Sequence, residues 1–304
     1  MDKIFLILDS NSILHRAFHA LPLLTNKKGE PTNAVYGFLL IFFRAIKDLK
    51  PDYIVSCFDF PAPTFRHKEF KNYKIQRPPT PKELSLQIPK IKKVLESFNI
   101  VILEKEGYEA DDLVGSLCKK FEDIFKIILS SDTDLFQLID KNTNIYFVRN
   151  GFKNSILYDE KKFKEEFNFS PQQFIDFKAI KGDPSDNIPG VKGIGKKTAA
   201  HLLEQFQNLE NLYFEIENKN CKIEEKLKNI LLSQKDLAIL SYSLVKLDKN
   251  VKIDNRMEDF SFPNFNPEKV KKTLNELGFK SLVKRVDEIL KIYENKEKGN
   301  LTLF

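Results

Sequence analysis

Three short apolar runs in this chain each lead into an aspartate. Ile4–Leu8 stops at Asp9, Ile54–Phe58 stops at Asp59, and Ile124–Leu129 is followed by Ser130, Ser131 and Asp132. Largely apolar runs of this length suit strands buried on both faces. Between them apolar residues recur at helical spacing, as in Val35, Leu39, Phe42, Phe43 and Ile46, and in Ile88, Ile91, Leu95 and Phe98. The alternation predicts an α/β fold, a twisted, mostly parallel sheet flanked by helices. Parallel strands end on one edge, where such folds place their ligands. Asp9, Asp59 and Asp132 are therefore predicted to share an edge, with Asp134 two residues on.

From about Phe174 strand-like runs become scarce and helical spacing continues, through Leu202–Phe206, Leu227–Leu232 and Leu237–Leu244. The expected organisation is an α/β core over 1–173, a helical region over 174–293, and a charged linker and tail over 294–304. The 304 residues are enough for a sizeable core. No apolar run approaches the ~20 residues of a membrane span, so no membrane partner is expected. The N-terminus lacks a secretory signal. Cys57, Cys118 and Cys221 are too few and too scattered for a disulfide framework or a CxxC metal site, which fits a reducing cytoplasm.

More acids follow the same logic. Glu109, Asp111 and Asp112 precede the helical run Leu113–Phe121, where they either cap the helix or face the sheet edge. Asp183 and Asp186 sit in Gly182-Asp183-Pro184-Ser185-Asp186-Asn187, a loop that also reads as a plain turn. Nine carboxylates at one edge would repel one another unless cations lie among them. Oxygen ligands without His or Cys select Mg²⁺ or Mn²⁺ over zinc. So many suggest two ions about 4 Å apart, the arrangement that clamps the attacking and leaving oxygens in phosphodiester cleavage.

Gly190-Val191-Lys192-Gly193-Ile194-Gly195-Lys196-Lys197 admits two readings. As a Walker A loop it lacks Ser or Thr after Lys196 and no strand precedes it. As a helix-hairpin-helix over about 183–206, Pro189 and Gly190 break the first helix, and Gly193 and Gly195 allow a tight hairpin. The next helix then offers its N–H groups to a phosphate, with Lys196 and Lys197 alongside. Arg66–Lys93 holds nine Lys/Arg against two acids, with Phe70 and Tyr73 interleaved, which suits a single strand. A solvated helical face is the plainer alternative. His15 and His19 have zinc-like spacing, but the HExxH glutamate is missing.

These motifs together resemble the 5′-nuclease domain of bacterial DNA polymerase I, within the flap endonuclease superfamily. The resemblance spans about Ile4 to Val286. It rests on Arg16–Ala20, Ala34–Phe38, Phe65–His67, Gly107–Asp112 and Gly182–Gly195. It implies a PIN-like core and a Mg²⁺-dependent 5′-3′ exonuclease or flap endonuclease of replication and repair. One ion would be held by Asp9, Asp59, Glu109 and Asp111, the other by Asp132, Asp134, Asp183 and Asp186, with Asp112 between. About 62–93 would form a helical arch over the 5′ strand. There Lys74 and Arg77 would act at the scissile phosphate together with Arg16, and Arg66, Phe70 and Tyr73 would contact DNA.

Gly190, Lys192, Gly193, Gly195, Lys196 and Lys197 would hold the duplex, with a K⁺ ion on the hairpin carbonyls. The expected substrate is a 5′ flap or a nicked or gapped duplex, and the expected state a monomer in the nucleoid-bearing bacterial cytoplasm. Ser10 and Thr133 depart from the family pattern, and neither removes a ligand. The chain reads either as a stand-alone nuclease or as the N-terminal piece of a polymerase. Leu301, Leu303 and Phe304 resemble a sliding-clamp peptide, with an unstructured end as the alternative.

Overall fold

The computed structural model describes residues 3–149, 155–218 and 222–301, with side chains of the last helix described through Lys296. Six strands form one sheet in the order β3-β2-β1-β4-β5-β6: β1 Ile4–Asp9, β2 Tyr53–Cys57, β3 Val101–Leu103, β4 Phe125–Ser130, β5 Thr143–Val148 and β6 Ser155–Tyr158. All neighbours are parallel except β5 and β6. The three apolar runs became β1, β2 and β4, which lie side by side at the centre.

Side chains along β1 alternate between two cores. Phe5 and Ile7 face one, Leu6 and Leu8 the other, and all four are buried. Each such burial stabilises by about 1.5–3 kcal/mol, so a strand apolar on both faces belongs in the middle. The Leu6 side is covered by α1 (Ser10–Ala20), α2 (Asn33–Leu49) and α5 (Ile88–Ser97). The short α3 (Phe65–Glu69) and α4 (Lys82–Ser85) precede α5. The Phe5 side is covered by α6 (Ala110–Lys120), α7 (Glu160–Phe167), α8 (Phe174–Lys181), α9 (Lys196–Phe206), α10 (Leu209–Glu217), α11 (Glu225–Ser233) and α12 (Lys235–Val245).

The last helices, α13 (Pro267–Glu276) and α14 (Lys280–Leu301), depart from the sequence reading. They do not extend the helical region. Val270, Leu274, Leu282, Val286 and Tyr293 share a core with Phe38, Leu39 and Phe42 of α2. Residues 294–299, read as a linker, continue α14. Their Lys and Glu residues are good helix formers, and Lys296 Nζ reaches Asp52 Oδ1 at 2.7 Å. The clamp-like tail, Leu303 and Phe304 with the Leu301 side chain, lies outside the described residues. The segment 62–93 is not one continuous helical arch: residues 71–76 form turns between α3 and α4, where Pro78, Pro79 and Pro81 interrupt helix formation. Among the described residues no helix is long and apolar enough to cross a membrane.

Candidate active site

The sheet edge collects the acids as the strand pattern predicts. Asp9 ends β1 and accepts from Ser12 N at 3.3 Å. Asp59, two residues past β2, is held by Asn11 Nδ2 and Ala110 N, both at 2.7 Å. Asp132 follows β4 and accepts from Asp134 N at 2.9 Å. One cavity of about 570 Å³ is lined by Asp9, Asp59, Glu109, Asp111, Asp132, Asp134 and Asp186. It opens where the chain leaves β1 and β4, at the point where strand order reverses. His15 and His19 of α1 also line it, beside Arg16. Ser10, the departure beside Asp9, is accommodated by a buried hydroxyl pair with Ser56 at 2.6 Å.

Burial, with like charges crowded beside it, shifts these carboxyls. Burial raises the Asp9 and Asp59 carboxyls. Burial, then repulsion from Asp9, Asp132 and Asp134, lifts Asp111 well above the usual carboxylate range. Burial pushes Asp132 up to about 7, with Asp134 adding to the rise and Lys178 opposing it. Glu109 is the exception: burial would raise it, but Lys74 and Arg66 hold it below its ordinary value. Lys74 Nζ lies 2.7 Å from Glu109 Oε1, and Arg77 pairs with Asp186. Lys74 also adopts a left-handed backbone, φ 55°, a strained state for a non-glycine residue.

The donor set fits hard divalent cations. It is all oxygen, and the Asp111 carboxylate has no hydrogen-bond or ion-pair partner among the described residues. As arranged, Lys74, Arg77 and Lys178 interleave the acids, and among the described residues no three of them converge into a closed coordination set.

Two residues read from sequence as ligand and DNA contact pair with each other instead. Arg66 is 1% and Asp112 0% exposed, and the guanidinium grips the carboxylate with two bonds of 2.8 and 2.7 Å. Asp112 also accepts from Glu109 N at 3.0 Å and Asp248 N at 2.9 Å, so its lone pairs are occupied. The two readings of the acidic tetrad overlap: Glu109 and Asp111 line the cavity, while Glu109 and Asp112 form a reciprocal capping box at the start of α6. Asp112→Asn is expected to leave the midpoint of a Mg²⁺ binding titration unchanged while lowering the melting temperature. A shift in the Mg²⁺ titration would restore Asp112 as a ligand. Removing Arg66 strands a buried carboxylate, at about 3–5 kcal/mol.

Phe70 and Tyr73 turn inward. Tyr73 is 4% exposed and points its hydroxyl at Glu109 Oε2 (3.1 Å) and Asp186 Oδ2 (3.3 Å), offering no free face for stacking. Phe70 packs into a small cluster with Tyr73, Ile188, Leu244 and Val245.

Lys178 was not singled out in the sequence. It is buried between Asp134 and Asp183, 2.6 Å from the latter. Against the effect of burial, Lys178 and then Ser185 hold Asp183 down at about 2. Lys178 falls one helical turn before Gly182-Asp183, and that spacing is the signal that could have found it. Asn11, two residues past Asp9, was likewise missed.

The glycine segment follows helix α8, not a strand, so the nucleotide-loop reading fails. The first helix also ends earlier than Pro189: Gly182, φ 78°, closes α8 after Lys181. Gly190 is no DNA contact. It is buried and its N–H donates to Ser241 Oγ at 3.0 Å. Lys192, Gly193, Gly195, Lys196 and Lys197 are exposed. Gly195 precedes α9 with no side-chain cap, and the first turn of α9 carries no acid.

Comparison with known proteins agrees with this layout. Residues 4–168 match the model of the 5′-3′ exonuclease N-terminal resolvase-like domain, and 169–268 that of the 5′-3′ exonuclease C-terminal SAM fold. The chain belongs to the 5′-3′ exonuclease family. It is 40% identical to a 5′-3′ exonuclease of Aquifex aeolicus, over 95% of this chain and 97% of that one. It is 41% identical to DNA polymerase I of Bacillus subtilis over 94% of this chain, which spans only 32% of that protein. Two solved structures share the family fold: T5 5′-exonuclease with divalent metal ions (zinc), at TM-score 0.65, 21% identity and coverage of 95% and 99%, and the catalytic core of Rad2 in complex with DNA substrate, at TM-score 0.63, 16% identity and coverage of 95% and 91%.

Proposed function

We propose that this chain is a Mg²⁺-dependent, structure-specific 5′ nuclease that hydrolyses DNA at the base of a 5′ single-stranded flap. The observation that carries this is the cavity lined by seven carboxylates with Arg16, Lys74 and Arg77 on its wall. Asp9, Asp59, Glu109 and Asp111 would hold one divalent ion, and Asp132, Asp134, Asp183 and Asp186 a second. Bound there, the ions would supply Lewis acidity toward the phosphate and make a water more acidic.

The protein's own groups do the rest. Asn11 and the N-terminus of α6 fix the orientation of Asp59. Arg16 lines the cavity with no hydrogen-bond or ion-pair partner among the described residues, which leaves its guanidinium for a phosphate oxygen. Lys74 and Arg77 are held by Glu109 and Asp186. With Glu109 and Asp186 engaged by ions, both cations would be free to neutralise charge developing on the phosphate. The Tyr73 hydroxyl stands between the same two acids.

Exposed N–H groups at the start of α9, with Lys196 and Lys197, suit a duplex phosphate. A K⁺ ion on the hairpin carbonyls belongs to the same reading. Setting the nine acidic positions aside leaves 34 acids against 49 bases, so the remaining surface is strongly basic and binding should weaken steeply with salt. The test is cleavage of a labelled 5′-flap duplex with Mg²⁺ and with EDTA. The expected products carry 5′-phosphate and 3′-hydroxyl ends and form only with Mg²⁺. Tight flap binding with no metal-dependent cleavage would leave a junction-binding protein instead.

A further inference from the structure

We infer that α12 is a rod that couples duplex engagement at the hairpin to the arch and the acids, with Gln234 and Arg66 as positioning residues at its two ends. The inference rests on the nuclease reading above and adds a route between its two halves. At the N-terminal end of α12, Gln234 binds Lys192 twice. It accepts from Lys192 N at 2.9 Å and donates to Lys192 O at 3.1 Å. About two turns along, Ser241 Oγ accepts from Gly190 N. The hairpin is therefore fastened to α12 at two points.

At the other end, Arg66 Nε donates to Leu244 O at 2.9 Å, and Nη2 donates to Lys246 O at 3.1 Å. The same guanidinium grips Asp112, whose carboxylate caps the helix start that carries Glu109 and Asp111. Arg66 sits on α3, at the foot of the turn that carries Lys74 and Arg77. Between the two ends lie 11 residues of regular helix, about 16 Å, packed along α8. A helix of that length moves as a body, so a shift of the hairpin against a phosphate displaces the carbonyls that Arg66 holds.

The movable element at the far end is the turn over 71–77. Its backbone is strained at Lys74, and its tip, Ile75, is 64% exposed. Duplex binding at the hairpin is expected to change the environment of this turn before any single strand reaches it.

The chain contains no tryptophan, so Ile75→Trp places a unique fluorophore on the turn. The probe is a blunt DNA hairpin duplex without a 5′ extension, titrated in EDTA, with binding followed separately by anisotropy. Saturating duplex is expected to shift the Ile75→Trp emission. Adding Gln234→Ala should remove at least half of that shift at saturation while weakening duplex affinity by no more than about tenfold. Adding Arg66→Lys should remove it with affinity unchanged. If Arg66→Lys does not fold, the Gln234→Ala arm decides alone. An undiminished shift at saturation in the Gln234→Ala background overturns the coupling, as does a silent Ile75→Trp when the duplex binds. A duplex that does not bind overturns the hairpin reading together with the coupling. The nuclease reading is judged separately, by flap cleavage.

Discussion

Asp132→Ala should lower kcat/KM on a 5′-flap duplex by at least about 10³-fold at saturating Mg²⁺, beyond the 10²–10³ that one oxyanion-hole donor is worth. Asp132 lies two residues past β4, the strand beside β1, and its backbone N–H donates to Ser130 Oγ at 2.8 Å. Its neighbours Asp134 and Asp9 raise its carboxyl further after burial has done so. A group so crowded by anions is one whose charge a cation would most stabilise. The same substitution removes a negative charge facing the DNA, so flap affinity in EDTA should hold or tighten. Loss of cleavage with retained binding separates this outcome from misfolding. An Asp132→Ala protein that cuts as fast as the parent would remove the metal site from the proposal.

Gly190→Ala should destabilise the protein by about 4 kcal/mol, the sum expected for overpacking and a forced left-handed backbone. A methyl group at Gly190 would lie 2.3 Å from the Gly182 nitrogen and 2.5 Å from its Cα, and the residue has φ 60°. Both obstacles are backbone, so no side chain can rotate away. Gly182 faces the mirror problem, with the Ile188 and Pro189 carbonyl oxygens 2.9 Å from its own added Cβ. The two glycines thus pinch the ends of one loop, and that loop carries Asp183 and Asp186. The expected result is a fall of several degrees in melting temperature together with lost cleavage. Unchanged melting would mean that the loop relaxes freely.

The centre of the fold was legible because its signal is local. A run apolar on both faces has one place to go, and an aspartate ending such a run goes to the shared edge. Helix-period segments were legible for the same reason. β3, with three residues, and β5, which mixes Thr and Asn into its apolar residues, carry too little pattern to stand out. What the sequence hid was long-range. Nothing near Arg66 says that it is buried, because its partners Asp112, Leu244 and Lys246 lie 46 to 180 positions away. A basic run reads as a DNA-facing surface until the structure shows which cations are already bound. Lys178 escaped for a related reason: its one local sign is Asp183, five positions on, and its other partner, Asp134, lies 44 positions away.

The packing of α13 and α14 onto α2 has a consequence for how the chain is made. The α2 residues that share a core with Val270 and Val286 leave the ribosome well before that cover does. At about 5–20 residues per second, the roughly 220 residues between them take on the order of 10–45 s to emerge. For that interval a nascent chain lacks the cover that α14 gives to α2. Part of a core laid down early is thus buried late.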